Sequence, residues 1–222
     1  MSTEVPTSIV RVRSLDSLRG SDAGYAGGKG ANLGELMSAG VPVPPGFVIG
    51  APAYAEFCEE TGVRRSLDEL LGTIDVDDSA ALEAAAVRAQ EIVAGAQVPE
   101  WLRDAVRQAL AELGAGDEDA VAVRSSATTD DGASASFAGM TETFLNVRGA
   151  DAVLDAVRSC WASMFSARTV FYRAKRLRAG RPGHRGGHPA PDRLHPGRGH
   201  VHHQPRQRRR QPPRDRGRVR PR

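Results

Sequence analysis

Lysine is almost missing from a chain rich in basic side chains: of 30 basic residues only Lys29 and Lys175 are Lys, and the rest are Arg. Histidine is missing from residues 1–180, and all six (His184, His188, His195, His200, His202 and His203) lie beyond them. With only two cysteines, Cys58 and Cys160, the chain is no disulfide-stapled scaffold. Both sit in helical patterns with no signal peptide ahead of them, so they read as buried free thiols in a reducing cytosol. No apolar run approaches the length that crosses a bilayer, which removes membrane proteins of the helical kind. Soluble and cytoplasmic is the expectation these absences leave.

Charge is unevenly divided. Residues 181–222 hold 13 Arg against Asp192 and Asp215, a balance of +11, while residues 1–180 hold 17 basic against 25 acidic residues, a balance of −8. The length suits one domain of moderate size followed by a tail. We therefore expect a body at 1–180 and, at 181–222, a disordered tail rich in Arg, Pro, Gly and His that buries no core.

Within the body, one of the two lysines stands in Gly27-Gly28-Lys29-Gly30-Ala31-Asn32-Leu33-Gly34-Glu35-Leu36. Glycines without Cβ let the backbone approach an anion closely, and a helix beginning near Gly30 points free N–H groups at the same place. Lys29 adds a mobile point charge. No Gly-Lys-Ser/Thr closes the stretch and its glycines miss the dinucleotide spacing, so neither familiar phosphate motif is present. By itself the stretch reads equally well as a Gly-rich turn that caps a helix beside a solvated Lys.

Along the chain, Ser8 to Arg13 alternates and predicts a strand, and a polar turn from Gly20 to Gly24 leads into the Gly-Lys loop. The following helix ends at Gly40. Phe47-Val48-Ile49 is a short strand after a Pro-rich segment, and Ala51 to Glu60 an amphipathic helix. Helical patterns recur at Ser79 to Ala94 and Pro99 to Leu113, with packing roles for Leu82, Val87, Ile92, Trp101, Leu102, Val106 and Leu110. The apolar strand Ala120 to Val123 runs into Arg124-Ser125-Ser126-Ala127-Thr128, an arrangement suited to clamping an oxyanion. Pairing of Arg124 with Asp130 or Asp131 in a turn accounts for it equally well. A small-residue loop from Gly132 to Phe137 can close over a ligand, and a strand at Phe144 to Val147 follows. Asp151 to Ala179 predicts two helices.

Five segments in order are far more specific than any one alone. Gly27 to Leu36, Val41-Pro42-Val43-Pro44-Pro45-Gly46-Phe47, Val123-Arg124-Ser125-Ser126-Ala127-Thr128, Ser136 to Val147 and Cys160-Trp161-Ala162-Ser163-Met164-Phe165 resemble the N-terminal ATP-binding domain of phosphoenolpyruvate synthase, shared by pyruvate phosphate dikinase and rifamycin phosphotransferase. The resemblance runs from about Ile9 to Arg178. It implies an α+β fold, a partial ATP-grasp-type nucleotide-binding domain. It also implies ATP as ligand, with its phosphates held by Lys29 and Arg124 and approached by Gly139 and Thr143. In full-length relatives the phosphoryl group passes to a histidine of a swivelling domain and on to an acceptor, pyruvate or the antibiotic. Mg²⁺ ligands are expected in a part of the fold this chain lacks, so no catalytic and no metal-binding residue is assigned within it, and the chain is expected to be inactive alone.

After about Gly180 the resemblance stops. Joining the second and third bases of each codon to the first base of the next lets the residues from His184 onward encode a string containing GVMFTINPA, which resembles the family's next segment. The tail is accordingly expected to be out of frame, without evolved function, and dispensable for nucleotide binding. The competing reading is a non-catalytic protein whose basic tail contacts nucleic acid or acidic partners, with steeply salt-dependent binding.

Overall fold

The structure is a computed structural model and describes residues 10–126, 142–179 and 198–203. Its strands are Val12–Ser14 (β1), Gly46–Ile49 (β2), Val121–Ser126 (β3), Thr143–Val147 (β4) and Arg198–His203 (β5). They form one sheet in the order β1-β2-β5-β3-β4, and every pairing is antiparallel. Seven helices are described: Ala23–Ser38 (α1), Ala51–Glu60 (α2), Val63–Thr73 (α3), Ser79–Gly95 (α4), Glu100–Glu112 (α5), Ala150–Ala162 (α6) and Ala167–Ala179 (α7). The expected mixture of helices and a sheet is therefore present.

Side chains alternate across a strand, so the sheet has two distinct faces. On one, Phe47, Ile49, Val121, Val123 and Val201 join α2, α5 and α6 in the main core. Trp161 sits in its midst, 4.9 Å from the ring of Phe57 and 5.2 Å from that of Tyr54. On the other face Val48 lies under α1 with Leu15, Leu18 and Ala26. Strand β2 is buried on both sides, which is why Gly46 to Ile49 read as an unbroken apolar run rather than an alternation.

Helix α1 is two pieces. Gly27, at φ 73° and ψ 163°, breaks the helical backbone, so Gly28, Lys29 and Gly30 form the first turn of the longer limb. Gly34 then lets that limb cross the 3₁₀ turn at Leu15–Ser17: a Cβ there would stand 2.5 Å from the Leu18 carbonyl oxygen and 2.8 Å from that of Leu15.

Helix α3 was not foreseen. Gly62, in the left-handed region at φ 73°, separates it from α2, and its buried residues Val63, Leu67 and Leu71 recur every four positions. Val87, assigned a packing role from its helical spacing, is 55% exposed; α4 turns Ala85, Ala86, Ala89 and Val93 inward instead. Leu102, Val106 and Leu110 are buried as expected, and Leu82, Ile92 and Trp101 pack partly buried against the core. Cys58 and Cys160 are both free and buried, and loss of water pushes their thiols up to about 11 and about 12.

The largest departure concerns the segment after residue 180. A tail wholly without structure was expected, yet Arg198–His203 forms the central strand of the sheet, hydrogen-bonded to β2 on one side and β3 on the other. The physical reason is twofold. Strands β2 and β3 are not paired with each other, so each would leave a row of backbone groups open without β5. Val201 also supplies an apolar group, fully buried, at the inward register position between Phe47 and Val123.

Candidate functional site

Of the four residues singled out in the sequence, three fall among the described residues, and Gly139 lies outside them. The other three converge at one end of the α1 face. Lys29 is carried by the first turn of the longer limb of α1, Arg124 by β3 and Thr143 by β4. Arg124 and Thr143 are directly paired across the two strands, and Arg124 Nε donates to Thr143 Oγ1 at 3.3 Å. The Ser125 N–H donates to the Glu142 carbonyl at 3.2 Å, fixing the start of β4 beside the end of β3.

Lys29 and Arg124 stand close enough to repel. The Lys29 ammonium is held below the usual lysine range, first because its charged end is partly stripped of water and second because of Arg124. None of the ion pairs among the described residues involves either cation. By contrast Arg13, on the same face, is committed: its guanidinium donates to Asp22 Oδ1 and to the Ser17 carbonyl, each at 2.8 Å, and stacks over Tyr25. Two neighbouring cations with no ion pair to an acid among the described residues favour a multiply charged anion between them. Asp130 and Asp131, the alternative partners considered for Arg124, lie outside the described residues.

Two clefts of about 320 and 360 Å³ lie elsewhere, the first lined in part by Arg11, Gln108 and Glu112, the second by Arg107, Asp117 and Asp119. Each mixes acid with base. Among the described residues no three of His, Cys, Asp and Glu converge to hold a metal ion.

Residues 23–179, well over half of the chain, match the pyruvate phosphate dikinase AMP/ATP-binding domain family. The chain belongs to this family. Similarity to individual members is also substantial. The chain is 47% identical over 165 residues to a probable phosphoenolpyruvate synthase of Methanothermobacter thermautotrophicus, covering 73% of this chain and 24% of that protein. It is 45% identical over 167 residues to the phosphoenolpyruvate synthase of Pseudomonas aeruginosa, covering 73% and 21%. For a probable phosphoenolpyruvate synthase of Methanocaldococcus jannaschii the figures are 46% over 162 residues, 72% and 14%. The chain thus spans a quarter or less of the length of these relatives. The family match includes Lys29, Arg124 and Thr143 and ends at the last residue of α7, so β5 lies beyond it.

What sequence reasoning missed is strand β5, which pairs with the strand that carries Arg124. The register sets His200 directly opposite Arg124 and also opposite Val48. The signal was present in the alternation of Gly199, His200, Val201 and His202, an apolar residue flanked by polar ones. Composition outweighed it, because Arg, Pro and Gly dominate the surrounding positions.

Proposed function

We propose that this chain is the nucleotide-holding part of a phosphoenolpyruvate synthase-type phosphotransferase, a partial ATP-grasp-type fold that binds the phosphates of ATP between Lys29 and Arg124. The observation that carries the reading is the pair of neighbouring cations, one of them partly desolvated, in a chain of an AMP/ATP-binding family. A phosphate group placed there would restore Lys29 to its usual range while meeting the fork of Arg124. Thr143 keeps the Arg124 guanidinium in position through its Oγ1. The first-turn N–H groups after the break at Gly27 supply neutral donors to the same anion.

In this reading the chain binds and orients ATP, and its phosphoryl group moves to a histidine and then to pyruvate on other parts of a longer enzyme. The chain completes no turnover alone. The names of the relatives favour this branch over the antibiotic-modifying one. The described residues do not fit a protein-built Mg²⁺ site, so no step is assigned to the metal.

Equilibrium binding of ATP to the full chain tests the proposal. Lys29→Ala and Arg124→Ala should each weaken binding roughly tenfold or more, the scale of one charge-assisted hydrogen bond. Thr143→Val should weaken it less, because it acts through Arg124. Unchanged affinity in both charge-removing variants would overturn the site.

A further inference from the structure

Lys29 stands two residues past the break at Gly27, so its place depends on how each limb of α1 is held. The longer limb is held by Gly34, which crosses close to the backbone of Leu15 and Leu18, and by Glu35, whose carboxylate accepts from the Gly20 N–H at 2.8 Å. The short limb, residues 23–26, is seated on the sheet by buried Ala26 and by Tyr25. The Tyr25 ring lies between the Arg13 guanidinium, 5.2 Å from its centre, and the backbone of Gly50 just past β2.

Gly50 makes room for that ring. A Cβ there would stand 2.2 Å from Tyr25 Cε2 and 2.3 Å from its Cζ. The Gly50 backbone itself, at φ −78° and ψ 172°, is extended and open to any residue, so the space is needed for the ring and not for the main chain. Arg13 is fixed above the ring by Asp22 and the Ser17 carbonyl. Burial pushes the Tyr25 phenol above the usual tyrosine range, so the hydroxyl stays neutral beside the Gly50 backbone.

We propose that Tyr25, seated on Gly50, is a positioning residue for the phosphate site: through the short limb of α1 it sets where Gly28, Lys29 and Gly30 stand against the sheet. The inference rests on the reading of Lys29 as a phosphate ligand. A single glycine in a non-helical conformation joins the two limbs, so a short limb that leaves its seat lets the turn after the break shift. Lys29 is held below the usual lysine range by partial loss of water and by nearby Arg124, and both causes require that turn to keep its place. Unseating Tyr25 therefore returns Lys29 toward its usual range and moves its charge out of line with a bound phosphate.

The test is calorimetric binding of ATP, with an NMR titration of ¹³C-methylated Lys29, in the full chain as wild type, Tyr25→Phe, Tyr25→Ala and Gly50→Ala, each below its melting temperature. Tyr25→Phe keeps the ring and should match the wild type in both readouts. Tyr25→Ala and Gly50→Ala should each raise the pH at which Lys29 titrates and weaken ATP binding several-fold. Combining them should add little, because both empty one seat. If Tyr25 only stabilises the fold, its loss lowers the melting temperature and leaves both readouts of the folded protein unchanged; that result overturns the inference. Gly50→Ala decides the matter where Tyr25→Ala does not fold. Unchanged ATP affinity in Lys29→Ala, by contrast, overturns the phosphate site itself, whatever Tyr25 does to the titration of Lys29.

Discussion

Gly34 has no room for a methyl group, and that makes the sign of one substitution informative. On helix propensity alone Gly34→Ala should stabilise α1 by about 1 kcal/mol. The added Cβ would instead press on the backbone oxygens of Leu18 and Leu15, so we expect a loss of about 1–3 kcal/mol in a urea melt. A gain in stability would contradict the close crossing of α1 over the 3₁₀ turn. Asp22 gives a second residue-scale prediction. The Arg13 guanidinium, followed by the Arg19 N–H, holds its carboxyl below the usual range. The folded-state pKa is depressed, so the stability it brings is present above the unfolded value near 3.9 and is lost as pH falls through the lower, folded one. Asp22→Asn should therefore flatten the acid limb of a stability-against-pH curve; an unaltered limb would remove Asp22 from it. For Lys29 the sign reverses. Its charged form is disfavoured on folding, so Lys29→Met should melt no lower than wild type at pH 7 while binding ATP less well.

At the scale of elements, β5 separates what the sequence disclosed from what it concealed. Helices α2, α4, α5, α6 and α7 were legible, because their apolar positions recur at helical spacing and Gly or Pro marks their ends. Lys29, Arg124 and Thr143 were legible as site candidates, since glycines, an apolar strand end and hydroxyls cluster around them. That they share one site was expected from the family resemblance alone and not from their spacing, because their approach depends on α1 lying across the sheet face and on the pairing of β3 with β4. Nor was β5, whose six residues carry one apolar side chain between histidines and were outweighed by the composition around them. The expectation that the whole tail is dispensable is thereby revised. A chain ending at residue 203 should melt like the full chain, whereas one ending at 197 leaves β2 and β3 with open inner edges and should lose its cooperative transition. Val201→Asp, which buries a charge between Phe47 and Val123, should be comparably damaging. Equal melting temperatures for the two truncations would remove β5 from the sheet.

At the scale of the whole molecule, the proposed site places two cations near each other on one face of the sheet, whereas several other bases among the described residues have an acid beside them. Arg11 is bound to Glu56, Arg103 to Asp151 and Arg158 to Asp155. The sheet ends in two edge strands, β1 and β4, and Leu145 on β4 is 60% exposed. In a chain spanning a quarter or less of its relatives, this is the apolar surface to watch for self-association. No described helix is long and apolar enough to cross a membrane. The scarcity of lysine offers a direct view of the site. Reductive methylation with ¹³C-formaldehyde keeps the positive charge and labels only Lys29, Lys175 and the N-terminal amine, with Lys29→Arg giving the assignment. In a pH titration followed by NMR the Lys29 signal should titrate below the usual lysine range, and millimolar ATP should move it upward. A Lys29 signal that titrates unchanged with and without ATP would contradict the phosphate site.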